Sequence, residues 1–172
     1  NGSAELPYDV CRAVPGVRLE VQAIPGPGPA RNRGVEVAAS PLLAFIDADC
    51  IAQPGWASSI VRVMAQRPDI DFLGGDIGIL MKDPERPSAI EAYERIYGNR
   101  ARLYVERHGY AATGNMAVRA RVFAAVGPFG GLSTMEDTDW GQRATKLGHR
   151  ALFVPDAKVL TPSCESFTDL AM

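Results

Sequence analysis

The stretch Leu42-Leu43-Ala44-Phe45-Ile46-Asp47-Ala48-Asp49 decides the fold class. Five apolar residues lie between Pro41 and a pair of acids. A run of that length, bounded in that way, predicts a buried strand of a parallel sheet. The acids then stand just past the carboxyl end of the strand, where ligands bind in open α/β sheets. Two carboxylates one residue apart repel unless a cation or a donor sits between them. Mg²⁺ or Mn²⁺ carrying a diphosphate would fill that role, because hard cations prefer oxygen ligands. The alternative is one Asp capping a turn beside a solvated one, and spacing alone slightly favours it.

Outward from this strand, elements alternate. Upstream, the alternation in residues 19–24 predicts a strand, residues 25–29 a Pro/Gly turn, and residues 30–39 a helix with Val35, Ala38 and Ala39 on one side. Downstream, residues 54–66 predict a helix with Pro54 near its first turn and Trp56, Ile60, Val63 and Met64 on one face. Residues 72–80 predict a strand loosened by Gly74 and Gly75. Residues 88–107 predict one long helix opened by a capping box, Ser88 with Glu91. Its exposed face is expected to carry Glu91, Glu94, Arg95, Arg100 and Arg102. Residues 111–118 are extended, 120–126 a short helix, 130–134 a loop, and 137–147 a helix closed by Gly148. Two short strands, 151–154 and 158–160, flank a Pro155-Asp156 turn. Strands alternating with helices predict one α/β layered domain over residues 1–172.

Composition narrows the function classes. The 172 residues are 47% hydrophobic and 22% charged, values of a globular domain. Eighteen Lys and Arg against twenty Asp and Glu leave a net charge of −2, without the basic excess of a nucleic-acid binder. Cys11, Cys50 and Cys164 are scattered and odd in number, which argues against a disulfide framework or zinc knot and for a reducing, cytoplasmic setting. Nowhere do 18 apolar residues run together.

Three further constellations could carry chemistry. Glu136-Asp137-Thr138-Asp139 opens a helix, where acids favour the macrodipole and cap free N–H groups. One cap needs one acid, so a surplus carboxylate beside a Gly-rich loop could serve as a general base. In Thr113-Gly114-Asn115-Met116, Gly114 would let backbone approach a ligand and Asn115 could bond it; on the motif alone, a strand-end turn is favoured over that reading. Arg31 and Asn32 near a helix start could contact phosphate or ribose, or simply form a solvated face. Trp56 and Trp140 read first as packing residues, although Trp140 adjoins the acidic cluster. Cys50 reads as a packed small hydrophobe.

The order of these motifs is more specific than any one of them. Asn1-Gly2-Ser3 resembles the end of the DDGS segment of family 2 glycosyltransferases. Residues 30–34, ARNRG, resemble their ARNxG helix, and residues 45–49, FIDAD, their FLDAD metal motif. GNMAVR at 114–119, followed by Val122-Phe123 and Val126-Gly127, is similar to their GNxAxRRxxFxxVGGF segment. Residues 136–140, EDTDW, resemble EDxDW, and Gly148-His149-Arg150 resembles AGYRL.

That resemblance implies a GT-A fold: a mixed, mostly parallel sheet flanked by helices, here lacking the first strands and leaving a sheet edge open. It implies a hexosyltransferase acting with inversion on a nucleotide-sugar donor (a UDP- or GDP-sugar), with Mn²⁺ or Mg²⁺ as cofactor. It makes Asp49 the main metal ligand and gives Asp47 a ribose or metal contact. Arg31 and Asn32, with Gly114 and Asn115, would line the donor side. Asp137 would be the catalytic base, with Glu136 orienting the acceptor, and Trp140 and Met116 would lie in the acceptor region. The acceptor would be a glycan or a lipid-linked molecule, with peripheral contact at the inner face of a membrane. Relatives often carry a His where this chain has Thr161. The competing reading is a non-catalytic module that binds a glycan or partner.

Overall fold

The computed structural model describes residues 5–131, 134–164 and 166–170, the side chains of 169 and 170 excepted. Residues 1–3 and the middle of the expected 130–134 loop lie outside the described residues. In chain order the elements are α1 (Tyr8–Ala13), α2 (Pro27–Val37), β1 (Leu42–Ile46), β2 (Ile51–Ala52), α3 (Trp56–Gln66), β3 (Phe72–Leu80), α4 (Ala89–Tyr97), α5 (Ala101–His108), β4 (Asn115–Arg119), α6 (Ala120–Val126), α7 (Glu136–Lys146), β5 (Ala151–Pro162) and α8 (Phe167–Leu170).

The strands make one mixed sheet in the order β1-β4-β3-β5-β2. Among the described residues only β3 and β5 run parallel; β1·β4, β3·β4 and β2·β5 are antiparallel. The sheet is therefore mixed, as expected, but not mostly parallel. β4 is inserted between β1 and β3 against the direction of both. β1 is an edge strand, and only Leu43 of its five residues is buried. Its apolar run signalled a strand correctly but overstated its burial.

The period of two along the strands builds two cores on opposite faces of the sheet. Phe72, Met116 and Val118 point to one face, where Val105 of α5, Val122 and Phe123 of α6, and Trp140 and Ala144 of α7 cover them. Leu73, Ala117 and Val154 point to the other, covered by Ile60 and Met64 of α3. Phe72 meets Trp140 edge-on at 5.6 Å, and Phe123 stacks on Trp140 at 5.5 Å. Helices thus lie on both faces.

Residues 19–24 form no strand. Val21 and Ile24 stay exposed, so the alternation has no core to face, and Glu20 pairs instead with Arg33 of α2 at 2.8 Å. The long helix expected over 88–107 is broken at Gly98 into α4 and α5. Glycine is the weakest ordinary helix former, and the Gly98 N–H closes the first helix on Glu94 O at 2.8 Å. The Ser88–Glu91 capping box is present, but Glu91 and Glu94 are buried rather than exposed. Glu91 accepts the Lys82 and Ser88 N–H groups at 2.8 and 2.7 Å, and these bonds hold its carboxyl below the usual range. Glu94 accepts the Cys164 N–H at 3.0 Å.

The two strands expected around Pro155-Asp156 are one continuous strand, β5. Against β3 its register jumps: Gly75 faces Val154, and the next residue, Asp76, faces Lys158. The turn signal is real but is absorbed as a bulge of residues 155–157. α7 ends as expected, with Gly148 following it at φ 88°.

Candidate functional site

A cleft of about 260 Å³ opens past the end of β1. Arg31 of α2, Asp47, Asp49 and Cys50 after β1, Ile77 of β3, Asn99 between α4 and α5, residues 112–114, Glu136 and Asp137 of α7, and Thr161 of β5 line it. Six residues singled out from the sequence therefore meet across 106 positions of chain: Arg31, Asp47, Asp49, Gly114, Glu136 and Asp137.

Arg31 is the joint of the cleft. Its guanidinium donates to Asp47 Oδ1 at 2.7 Å and to Glu136 Oε1 at 2.6 Å. The Arg31 and Glu136 side chains are each 17% exposed, while Asp47 is 44% exposed. One cation thus bridges the rim acid after β1 and the first acid of α7, offsetting one of their two negative charges. Gly114 packs against the same carboxylate: a Cβ there would stand 2.9 Å from Asp47 Oδ2. Any larger residue would push Asp47 from its place.

The first turn of α7 carries Glu136, Asp137 and Asp139, and the N-cap Met135 supplies no side-chain cap. Acids here oppose the positive end of the helix dipole. Their roles diverge. Glu136 goes to Arg31. Asp139 pairs with Arg143 at 2.9 Å, and Arg143 also donates to the Val126 and Pro128 carbonyls at 2.6 and 2.7 Å, stapling α7 to the end of α6. Asp137 accepts at Oδ1 from Thr138 N at 2.6 Å and Thr138 Oγ1 at 3.3 Å, leaving Oδ2 without a hydrogen bond among the described residues. Burial pushes the Tyr110 phenol up, the neighbouring Tyr104 and Asp137 add to the shift, and the Thr138 bond opposes it.

Asp49 is exposed and carries no ion pair or side-chain hydrogen bond among the described residues. Among the described residues no three His, Cys, Asp or Glu side chains stand close enough together to hold a metal ion by themselves. Two carboxylates are nevertheless a fitting share for Mg²⁺ or Mn²⁺, which take one or two protein carboxylates and complete their shell with phosphate oxygens and water. The donor set is all hard oxygen, with Thr161 adding a hydroxyl to the same cleft. Burial pushes the Cys50 thiol up, as do the charges of Asp49 and Asp47, against a pull downward from its bond to Thr161.

Four expected site residues lie elsewhere. Trp140 is fully buried among Phe72, Phe123 and Phe129, and its indole N–H donates to Gly127 O at 2.9 Å. Met116 is buried in the same core. Neither reaches the cleft, because the alternation of β4 and the turn of α7 aim both inward. Asn115 is 1% exposed and serves the backbone. Its Nδ2 donates to Asp76 O at 2.8 Å and Ala157 O at 2.7 Å, the carbonyls loosened by the bulge, while Oδ1 accepts the Trp56 indole N–H at 2.8 Å. Asn32 exchanges two hydrogen bonds with the Phe129 backbone, at 2.9 and 3.0 Å. Asn99, Ile77 and Tyr110 went unnoticed in the sequence; the helix break at Gly98 is the signal that could have drawn attention to Asn99.

The sequence profile of the family described as glycosyltransferase like family 2 matches residues 2–171. The chain belongs to that family. Glycosyltransferase AglE of Haloferax volcanii is 30% identical to this glycosyltransferase family 2 chain over 128 residues, 74% of this chain and 41% of that protein. GalNAc-T7, solved with UDP, GalNAc and Mn²⁺, superposes with a TM-score of 0.57 at 18% identity over 80% of this chain and 30% of its own. Residues 1–349 of S. aureus TarS, solved with UDP-GlcNAc, give 0.57 at 16% identity over 82% of this chain and 40% of theirs. The chain spans less than half the length of these relatives, and the two structures establish a shared glycosyltransferase fold. No helix among the described residues is long and apolar enough to cross a membrane.

Proposed function

We propose that this cleft transfers a sugar from a nucleoside-diphosphate sugar, a UDP- or GDP-sugar, to an acceptor hydroxyl with inversion. The observation that carries the reading is the convergence of Asp47, Asp49, Glu136 and Asp137 in one cleft around Arg31. Relatives solved with UDP and with UDP-GlcNAc support the donor class.

Asp49 and Asp47 would hold Mn²⁺ or Mg²⁺, which when bound offsets the charge that builds on the departing diphosphate. Arg31 sets the position of Asp47 and stands beside the donor. Asp137 Oδ2 takes the proton of the acceptor hydroxyl as its oxygen forms a bond to the anomeric carbon. The bond from that carbon to the diphosphate oxygen breaks, and its electron pair leaves with the nucleoside diphosphate. Thr138 fixes the other carboxylate oxygen and so orients the base. Glu136, held by Arg31, would position the acceptor.

The test is nucleoside-diphosphate release from a panel of donors, with and without Mn²⁺. Metal-dependent release with one donor is expected. Donor-induced thermal stabilisation without release or transfer to any acceptor would favour the alternative, a binding module. That alternative is motivated by Arg31, which occupies two of the acids, and by Thr161.

A further inference from the structure

A second groove, about 520 Å³, adjoins the cleft and is unused by the chemistry above. Asn99 lines both. The groove runs along α5 from its N-cap Arg100, and Leu103 and Arg107, four apart in the helix, share one helical face. Phe153 and Pro155 of β5 line it as well.

The charges in this groove are unequally spent. Its two acids already have partners: Asp76 pairs with Lys158 at 3.1 Å and Glu106 with Arg102 at 3.5 Å. Arg102 also lies over the Phe153 ring at 4.9 Å. Arg100 and Arg107 have no ion pair and no side-chain hydrogen bond among the described residues. The N-cap Arg100 and Arg107, seven positions on, stand about 10 Å apart along the helix axis. Two guanidinium groups without partners among the described residues, in a groove that Leu103, Phe153 and Pro155 also line, suit a ligand with an anionic head and an organic body. Planar guanidinium forks match phosphate oxygens in particular.

We propose that this groove binds a phosphate ester, with the phosphate on Arg100 and Arg107 and the organic portion along Leu103 and Phe153. On the transferase reading above, this phosphate belongs to the acceptor, and Asn99 marks where the acceptor passes into the cleft. The phosphate could belong to a lipid-linked molecule or to a soluble phosphorylated sugar.

Octyl phosphate and glucose 6-phosphate stand for the two sources, titrated into the chain in EDTA and followed by NMR shifts of arginine side chains. The expected result is saturable binding of at least one probe, weakened roughly tenfold or more in R100Q/R107Q. R100K/R107K, which keeps the charge, recovers part of the affinity, and R121Q on α6 matches the unsubstituted chain. The tighter probe identifies the source. Binding of neither probe, or equal binding by R100Q/R107Q, overturns the proposal. Stabilisation by Mn²⁺ and UDP-GlcNAc is measured separately on the same samples. A failed donor reading thus leaves the groove result standing, and the converse holds.

Discussion

The indole N–H of Trp56 donates to Asn115 Oδ1 at 2.8 Å, joining the start of α3 to the break in the β3–β5 ladder. Asn115 turns its amide the other way, onto the carbonyls of Asp76 and Ala157. One buried side chain therefore satisfies the two carbonyls at the bulge and the indole N–H of α3. Asn115→Ala is expected to lower unfolding free energy by about 3 kcal/mol in urea titration. A loss under about 1 kcal/mol would show that water replaces the amide without strain.

Arg31 provides a graded prediction. Its bond to Glu136 is more sheltered than its bond to Asp47. Double-mutant cycles should give a coupling of about 1–2 kcal/mol for Arg31 with Glu136 and under about 1 kcal/mol with Asp47. The reverse order would mean that the rim pair dominates the joint.

Asp137→Asn keeps the shape and removes the proton acceptor. Transfer should fall on the order of 10²- to 10⁴-fold, while donor-induced thermal stabilisation persists. Unchanged transfer would dismiss Asp137 as the base.

Trp140 separates core from site. Trp140→Ala is expected to cost about 3–5 kcal/mol of stability, and Trp140→Phe distinctly less, because the ring still fills the space among Phe72, Phe123 and Phe129. With either variant folded, acceptor KM should stay unchanged, and a selective rise in that KM would return Trp140 to the acceptor region.

Asp69 gives the pH signature. Both of its oxygens accept from Arg67 at 2.9 Å, and that bond, first among the causes, draws its carboxyl down to about 2. A depressed folded value means that its contribution is present above the ordinary carboxylate range and is lost as pH falls toward about 2. NMR titration should place the Asp69 midpoint there, and Arg67→Gln should return it toward the ordinary value.

Much of the fold was legible because it rests on local signals. The Ser88–Glu91 box, the run at Leu42–Ile46, and Gly148 behind α7 each report a nearby physical need. The cleft was legible for residues on turns and helix starts: Arg31, Asp47, Asp49, Gly114, Glu136 and Asp137. What could not be read were partnerships over long separations. Nothing near Asn115 announces a bulge forty-two residues away, and nothing near Asn32 announces Phe129. Residues 19–24 carried the alternation of a strand, but alternation does not say whether a core waits on either side.

The reciprocal pair between Asn32 and Phe129 has a consequence for exchanging parts between relatives. A side chain on Gly28 would collide with the Gly130 carbonyl, so α2 and residues 129–130 fit together at two points. The acids of α7 follow that segment directly and are bound to α2 again through Arg31. A chimera that imports residues 115–147 from a relative while keeping its own 27–37 would inherit mismatched halves of one hinge plate. A viable crossover has to carry both stretches together, although some eighty residues of chain lie between them.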